Sequence, residues 1–172
     1  MIYGETQEME ELKIREARNI DVDELVSLEN ECFDTYYREH KFSEVEFAEY
    51  LHKKKGIIFV ATLNATIIGY VVGTVRTSLS CSSAHLDSIA VLRKARRTGV
   101  GGRLLHRFID EAGRQGCKRI LLEVAFVNEE GMAFFSNHSF RRVRSLPGYY
   151  GEGLSGVRME LDIDWKSELL RF

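Results

Sequence analysis

The chain has 172 residues, of which 44% are hydrophobic, and its formal net charge is −2. These values predict one domain over residues 1–172 with a substantial core, preceded by a flexible segment at 1–10. The small net charge argues against nucleic acid as a partner, and every apolar run is too short to span a membrane. The three cysteines form no C-x-x-C pair, which argues against zinc, a redox motif or a disulfide framework. We therefore expect a cytoplasmic protein without membrane attachment or a metal site.

Hydrophobic periodicity predicts strands and helices in alternation along the chain. The predicted strands are 12–16, 57–63, 66–77, 84–92, 119–127, 140–144 and 157–163. The predicted helices are one capped by Asp21, one begun by the capping box Ser43–Glu46 and ended by Gly56, one at 101–113, and one from Asn128 or Glu129 to His138. Asn64-Ala65 is a weak turn signal between two β-branched runs and predicts an antiparallel hairpin. This order of elements predicts a mixed α/β sheet with helices on its faces.

A glycine-rich basic loop, Arg96–Gly102, lies between the predicted strand 84–92 and the helix at 101–113. The first turn of a helix has N–H groups without intrahelical partners, and glycines let an anion approach them closely. The spacing fits neither a Walker loop nor a Rossmann dinucleotide loop. The loop therefore indicates a pyrophosphate site, although a glycine-rich turn with a solvated basic run has the same composition.

Several blocks in the same order resemble the GNAT superfamily of N-acetyltransferases, and within it the protein N-terminal acetyltransferases of the ribosomal-protein alanine type. The blocks that show the resemblance are His85–Val91, Arg96–Gly102, Leu122–Val124, Asn128 and Tyr149-Tyr150. The resemblance extends from about residue 14 to residue 163. It implies a central mixed, mostly antiparallel sheet of about seven strands with helices on both faces, and acetyl-CoA as co-substrate.

The resemblance also implies which residues hold the coenzyme. The main chain of Ile89, Ala90 and Val91 would pair with the pantetheine arm. The residues that would surround the pyrophosphate are Arg96, Arg97, Thr98, Gly99, Val100, Gly101 and Gly102. Asn128 would hydrogen-bond the coenzyme, although a helix N-cap explains this residue equally well.

Glu123 interrupts the apolar run Ile120–Phe126, where an unpaired buried carboxylate would be costly. It therefore faces water, a partner or a cleft. By resemblance Glu123 is the base that takes the proton from the attacking amine, and a structural ion pair with Arg or Lys is the alternative. His85 falls where some relatives carry a catalytic tyrosine, but a histidine at the start of a strand is also often only exposed or hydrogen-bonded.

Phe135 lies twelve residues after Glu123, where relatives place a tyrosine beside the coenzyme that protonates the leaving thiolate. This chain has no hydroxyl at that position. A thiol of pKa about 8.5 still leaves tolerably as its anion. Phe135 therefore predicts slower transfer, or else a protein that binds the coenzyme as a regulator or inactive partner subunit.

The acceptor is predicted from the basicity of amines. At pH 7 an α-amine of pKa about 7.8 is roughly 14% neutral, and a lysine amine of pKa about 10.4 is roughly 0.04% neutral. The site lacks the tyrosine hydroxyl of its relatives, so an amine that is already partly neutral suits it best. A peptide or protein N-terminus is therefore the expected acceptor, with a small amine or lysine as the alternative. By resemblance, the aromatic residues that would line the acceptor are Phe33, Tyr36, Tyr37, Tyr149 and Tyr150. The alternative is that these aromatic loops pack over the core and have no contact with the acceptor. We expect a monomer or weak homodimer.

Overall fold

The computed structural model describes residues 11–33, 37, 40–78 and 82–163. The predicted flexible segment at 1–10 and the predicted site residue Tyr36 lie outside this part of the chain. The strands are β1 Leu12–Glu16, β2 Gly56–Leu63, β3 Thr66–Thr77, β4 Ser82–Val91, β5 Arg119–Ala125, β6 Arg141–Leu146 and β7 Gly156–Asp162. The helices are α1 Val22–Cys32, α2 Glu44–His52, α3 Val100–Arg114 and α4 Glu129–Asn137, with short 3-10 turns at Asn19–Asp21 and Arg93–Ala95.

All seven strands form one sheet in the order β1-β2-β3-β4-β5-β7-β6. Neighbours β4 and β5 run parallel, and every other neighbouring pair of these strands is antiparallel. The predicted mixed, mostly antiparallel sheet is therefore confirmed. The single parallel junction is the βαβ unit that the sequence places around α3.

Helices cover both faces of the sheet, as predicted. Tyr70 of β3 packs against Phe47 of α2, with ring centroids 5.3 Å apart, and bonds to Glu29 of α1. The preceding residue, Gly69, lies instead against Leu104 of α3. Because successive strand residues point to opposite faces, α1 and α2 lie on one face and α3 on the other. β3 has a nearly continuous buried run because it is covered on both faces.

Three local sequence signals, two at helix N-termini and one at a hairpin turn, have counterparts in the structure. The capping box at Ser43 is confirmed, since its N–H donates to Glu46 Oε2 at 2.8 Å. The hairpin is confirmed as well, because Asn64 and Ala65 have φ of 49° and 68°, the left-handed pair that a tight two-residue turn requires. Asp21 is the N-cap residue of α1, as predicted, but its side chain accepts no bond from that helix. Its carboxylate instead accepts two bonds from Arg15, at 2.6 and 2.8 Å, which join β1 to the start of α1.

β4 and β5 pair over a short stretch only. Residues 83–85 pair with residues 119–121, and beyond His85 and Leu121 the two strands continue without pairing to each other. Asp87 contributes to this separation because it is an extra residue, a bulge, between Leu86 and Ser88 in the register with β3. The sheet therefore contains an internal gap, bordered by the second halves of β4 and β5.

α4 ends in a Schellman motif. Ser139 N–H donates to Ser136 C=O at 3.1 Å, and Phe140 N–H donates to Phe135 C=O at 3.0 Å. The rings of Phe135 and Phe140 pack with centroids 5.5 Å apart, which is the apolar contact that accompanies this motif. Ser139 is the left-handed residue of the motif, with φ of 68°, a conformation that favours glycine.

Replacing Ser139 with glycine is therefore expected to raise the free energy of unfolding by about 1 kcal/mol, because the left-handed strain of a side chain is removed. Urea denaturation of the two proteins measures this difference. Ser136→Gly, inside α4, is the control and is expected to lower stability by about 1 kcal/mol. Equal or lower stability of Ser139→Gly would show that the serine is not strained.

Candidate active site

The predicted pyrophosphate loop leads directly into the N-terminus of α3. Gly99 is the N-cap residue, with φ of 87°, and Arg97 is also left-handed, with φ of 65°. The first helical hydrogen bond runs from Arg103 N–H to Gly99 C=O at 3.1 Å. The N–H groups of Val100–Gly102 precede it, so they have no acceptor within the helix. The positive end of the helix dipole coincides with these donors, which together suit an anion.

Close packing around this helix end favours small residues. A Cβ on Gly101 would lie 3.3 Å from the Phe134 ring, and a Cβ on Gly102 would lie 3.2 Å from His138 Nε2. The same end of α3 is thus pressed against α4. Arg96 is directed toward β4, because its Nε donates to Val91 C=O at 3.0 Å.

The main chain of β4 borders the gap with alternate residues. Leu92 N–H donates to Ile68 C=O in β3 at 2.9 Å, so even-numbered residues near the end of β4 face β3. Ile89 and Val91 therefore face the gap. Ala90 pairs with Tyr70 and turns its N–H and C=O toward β3. Three residues were predicted to contact the coenzyme through the main chain. Of these, Ile89 and Val91 direct main-chain groups into the gap, and Ala90 does not.

Ionisable side chains form a continuous hydrogen-bonded chain across the gap. Tyr50 of α2 donates to Asp87 at 2.9 Å, and Asp87 contacts His85 Nδ1 at 2.6 Å. His85 Nε2 lies 2.7 Å from Glu123 Oε2, and Arg158 Nε of β7 donates to Glu123 Oε1 at 2.6 Å. The structure therefore brings both predicted catalytic residues, Glu123 and His85, into direct contact. Glu123 is paired with an arginine, as the alternative interpretation expected, and it also lies beside the gap. Its role as a base stays a prediction.

Mutual pairing sets the charges of His85 and Glu123. Burial alone lowers the pKa of His85, but its bonds to Asp87 and Glu123 and their negative charges outweigh burial and raise that pKa to about 9. Burial alone raises the pKa of Glu123, but His85 and Arg158 outweigh it and lower that pKa to about 2. At neutral pH the site therefore holds an imidazolium between two carboxylates.

This pairing makes a pH-dependent contribution to stability. The pKa of His85 is raised, so its contribution is complete below pH 6.5 and is lost as the pH rises through about 9. The pKa of Glu123 is lowered, so its contribution is present above pH 4.5 and is lost as the pH falls through about 2. We expect wild type to exceed His85→Gln in free energy of unfolding by about 3 kcal/mol at pH 6, and by much less at pH 9.5.

Urea denaturation at the two pH values measures the difference, and His52→Gln at the exposed end of α2 is the matched control. A stability difference that is the same at both pH values would contradict the assigned charges.

An aromatic cluster covers one end of the gap. It joins the loop after α1 to the loop between β6 and β7, through Phe33, Tyr37, His40, Tyr149 and Tyr150. The Tyr37 hydroxyl accepts from Ala125 N–H at 3.2 Å and from Asn128 Nδ2 at 3.1 Å. The four described members of the predicted acceptor wall are thus in one place, beside the end of β5.

Asn128 and Phe135 both have structural roles. Asn128 Oδ1 caps α4 by accepting from Gly131 N–H at 2.9 Å, while its Nδ2 donates to Tyr37, so both ends of the amide are engaged. Phe135 is buried between Phe134 and Phe140. Phe134 is the ring that contacts Gly101 at the start of α3. Phe134 therefore adjoins the loop predicted to hold the coenzyme. Contact of Phe135 with the coenzyme stays a prediction.

The sequence interpretation missed Tyr50, Asp87 and Arg158. Asp87 carried a usable signal, because a carboxylate two residues from a histidine on one strand lies on the same face. The contacts of Tyr50 and Arg158 depend on tertiary packing and strand register. Within the described part of the chain, no three His, Cys, Asp or Glu side chains are arranged to hold a metal ion. The described helices include none long and apolar enough to cross a bilayer.

Comparison with known proteins agrees with this geometry. Residues 22–140 match the family described as Acetyltransferase (GNAT) family. An N-alpha-acetyltransferase of Sulfurisphaera tokodaii is 26% identical over 89% of this chain and 94% of that protein. The ribosomal-protein alanine N-acetyltransferase of Escherichia coli has a similar fold, with a TM-score of 0.75, 23% identity, and coverage of 90% of this chain and 95% of that one.

A Thermoplasma acidophilum N-acetyltransferase, solved in complex with coenzyme A, also has this fold. Its TM-score is 0.75 at 16% identity, over 89% of this chain and 99% of that one. The family match spans more than half of the chain and includes the loop at the start of α3, the gap between β4 and β5, and Glu123. The chain therefore belongs to the GNAT family of acetyltransferases.

Proposed function

We propose that this protein transfers the acetyl group of acetyl-CoA to the α-amine of a peptide or protein N-terminus. The observation that supports this most strongly is the contact between His85 and Glu123 at the sheet gap, with aromatic loops beside it. Relatives named N-alpha-acetyltransferase support the same class of acceptor.

The coenzyme site is proposed from donors that the structure leaves suitable for an anion and an extended chain. The N–H groups of Val100–Gly102 would hold the pyrophosphate, and the main chain of Ile89 and the N–H of Val91 would pair with the pantetheine arm, since the C=O of Val91 accepts from Arg96. Gly101 and Gly102 fit this role because residues without a side chain let an anion approach their N–H groups closely. When bound, acetyl-CoA supplies an acetyl thioester that is activated toward an amine.

The proton of the amine is proposed to pass to His85. Asp87 holds Nδ1–H at 2.6 Å, so a neutral His85 presents the lone pair of Nε2 toward Glu123. An amine placed between Nε2 and Glu123 can donate to both. Glu123 is a poor proton acceptor at a pKa of about 2, so we assign it to binding and orienting the amine. Glu123, which the resemblance assigns as the base, is thus proposed to bind and orient the amine, while His85 takes its proton.

The acceptor is proposed to lie against the aromatic cluster. Tyr37 and Tyr150 pack edge to face, with ring centroids 5.2 Å apart, and join the two loops into one wall. Such rigid aromatic surfaces suit the backbone and small side chains of an extended peptide. The lower basicity of an α-amine favours it over lysine at this site.

The test incubates pure protein with acetyl-CoA and short peptides, with thiol release and peptide mass as readouts. Each peptide is paired with an N-terminally blocked copy that contains an internal lysine. We expect acetylation of free N-termini and none of the blocked copies. Faster acetylation of lysine or of a small amine would replace this function by the first alternative. Coenzyme binding without transfer to any amine would favour a regulator or an inactive partner.

The pH dependence of kcat/KM tests the role of His85. Because neutral His85 is required and its pKa is about 9, we expect kcat/KM to rise with pH up to about 9. In His85→Gln the rate is expected to be lower, and the rise to end near the α-amine pKa of about 7.8. Initial rates from pH 6 to 10 measure both profiles. Superimposable profiles would show that His85 does not receive the proton.

A further inference from the structure

Two arginines extend the line of charged residues from the active site to the edge of the sheet. Glu123 of β5 is the register partner of Arg158 in β7, and Arg158 is the register partner of Arg144 in β6. Register partners on adjacent strands point to the same face. Glu123, Arg158 and Arg144 therefore form a row on the face of the sheet that carries His85 and the aromatic loops.

The outer part of this row has an excess of positive charge. Asp87, His85, Glu123 and Arg158 balance one another at neutral pH, because two are anionic and two cationic. Arg144 adds a further cation and is exposed. Its neighbour on the same strand, Arg141, bonds to Glu160 and Asp162 at 2.9 Å each, whereas Arg144 has no acidic partner among the described residues.

Placing two like charges opposite each other on adjacent strands is unfavourable, and an anion between them removes the repulsion. Arg158 holds Glu123 through Nε, and Glu123 is its one acidic partner among the described residues. The N–H groups of its terminal nitrogens that are not directed at Glu123 can therefore bind a further carboxylate. About a third of the Arg158 side chain is exposed, at 36%. Arg158 and Arg144 can therefore bind an anionic ligand from solvent while Arg158 keeps its bond to Glu123.

We propose that Arg158 and Arg144 bind an acidic side chain at the second or third residue of the acceptor peptide. This inference rests on the proposed function, since the amine is taken to lie at Glu123. Strands are about 4.8 Å apart, so β6 lies roughly 10 Å from β5, a distance that an extended peptide covers in about three residues. The specificity-determining contact is a carboxylate–guanidinium pair, and Arg144 contributes through it to acceptor choice rather than to proton transfer.

The experiment compares peptides that differ only by Glu, Gln or Lys at the second residue, and a second set varied at the third. At one of these positions we expect KM to be about 3- to 10-fold lower for Glu than for Gln, and higher for Lys, with similar kcat. The advantage of Glu should shrink at high salt, because the contact is partly exposed.

Arg144→Gln is expected to abolish the preference of KM for Glu over Gln. Arg142→Gln is the matched control, because Arg142 pairs in register with Met159 and so lies on the opposite face of the sheet. It is expected to keep the preference.

Equal KM values for Glu and Gln at both positions would overturn the inference and leave the proposed function intact. If no peptide is acetylated, the proposed function fails, and calorimetric binding of the same peptides with coenzyme A present decides the inference. Equal affinities of the Glu and Gln peptides would then overturn it. A preference for Glu that survives in Arg144→Gln would also overturn it, whatever the result for Arg142→Gln.

Discussion

Glu123→Gln is expected to lower kcat/KM for peptide acetylation by on the order of 10²-fold at pH 9.5, where His85 is largely neutral in both proteins, because the amine is no longer oriented; the affinity for acetyl-CoA stays the same. The glutamine cannot hold a charged partner for His85, and it offers a weaker acceptor to the amine. The Arg158 side chain also loses its anionic partner, which lies 2.6 Å away in the wild type. Steady-state kinetics with an N-terminal peptide, together with calorimetric binding of acetyl-CoA, separate the two quantities.

Glu160→Gln is the matched control for this variant. Glu160 lies on the same face of the sheet, opposite Leu121, and also pairs with arginines, including Arg141 at 2.9 Å. Its loss removes a surface ion pair without touching His85, so we expect activity within a few-fold of the wild type. Equal losses in the two variants would show that Glu123 acts only through the stability of the strand.

Gly99→Val is expected to weaken acetyl-CoA binding by about tenfold or more, which is about 1.4 kcal/mol. Valine is strongly disfavoured at the left-handed φ of 87°, so the loop must change conformation and the first N–H groups of α3 lose their alignment. The measurement is the dissociation constant of acetyl-CoA by calorimetry.

Gly116→Val supplies the same backbone strain at the other end of α3. Gly116 has φ of 81°, and a Cβ at either glycine would meet no atom within 4 Å. Both variants are expected to be less stable, but only Gly99→Val is expected to lose affinity. A comparable loss of affinity in Gly116→Val would mean that strain, rather than the position of the donors, causes the effect.

Much of the fold could be predicted from local patterns. The alternating and continuous apolar runs located the strands, and the Ser43 capping box located the start of α2 to the residue. The errors lie where two partners compete for one side chain. Asp21 is a good cap by type, but Arg15 on the adjacent strand offers a stronger, charged partner. The bulge at Asp87 also left no local signal, because bulges depend on pairing between strands.

The sequence predicted which residues belong to the candidate site better than it predicted their charge states. A carboxylate in an apolar strand had to face water, a partner or a cleft, and Glu123 has partners in Arg158 and His85. Its pairing with Arg158 depends on the register of two strands separated by 35 positions in sequence. The protonated state of His85 follows from two carboxylates that converge only in the folded chain, so it could not be predicted from sequence spacing alone.

The gap between β4 and β5 also divides the sheet mechanically. Three pairs of residues join the strands β1–β4 to the strands β5–β7, and beyond them the bridge from His85 to Glu123 spans the opening. The side-chain contact between His85 and Glu123 therefore joins β4 to β5 beyond the end of their main-chain pairing. The groups assigned to chemistry are thus also the joint between two halves of the molecule, so a proton gained or lost at His85 changes how firmly those halves are held together.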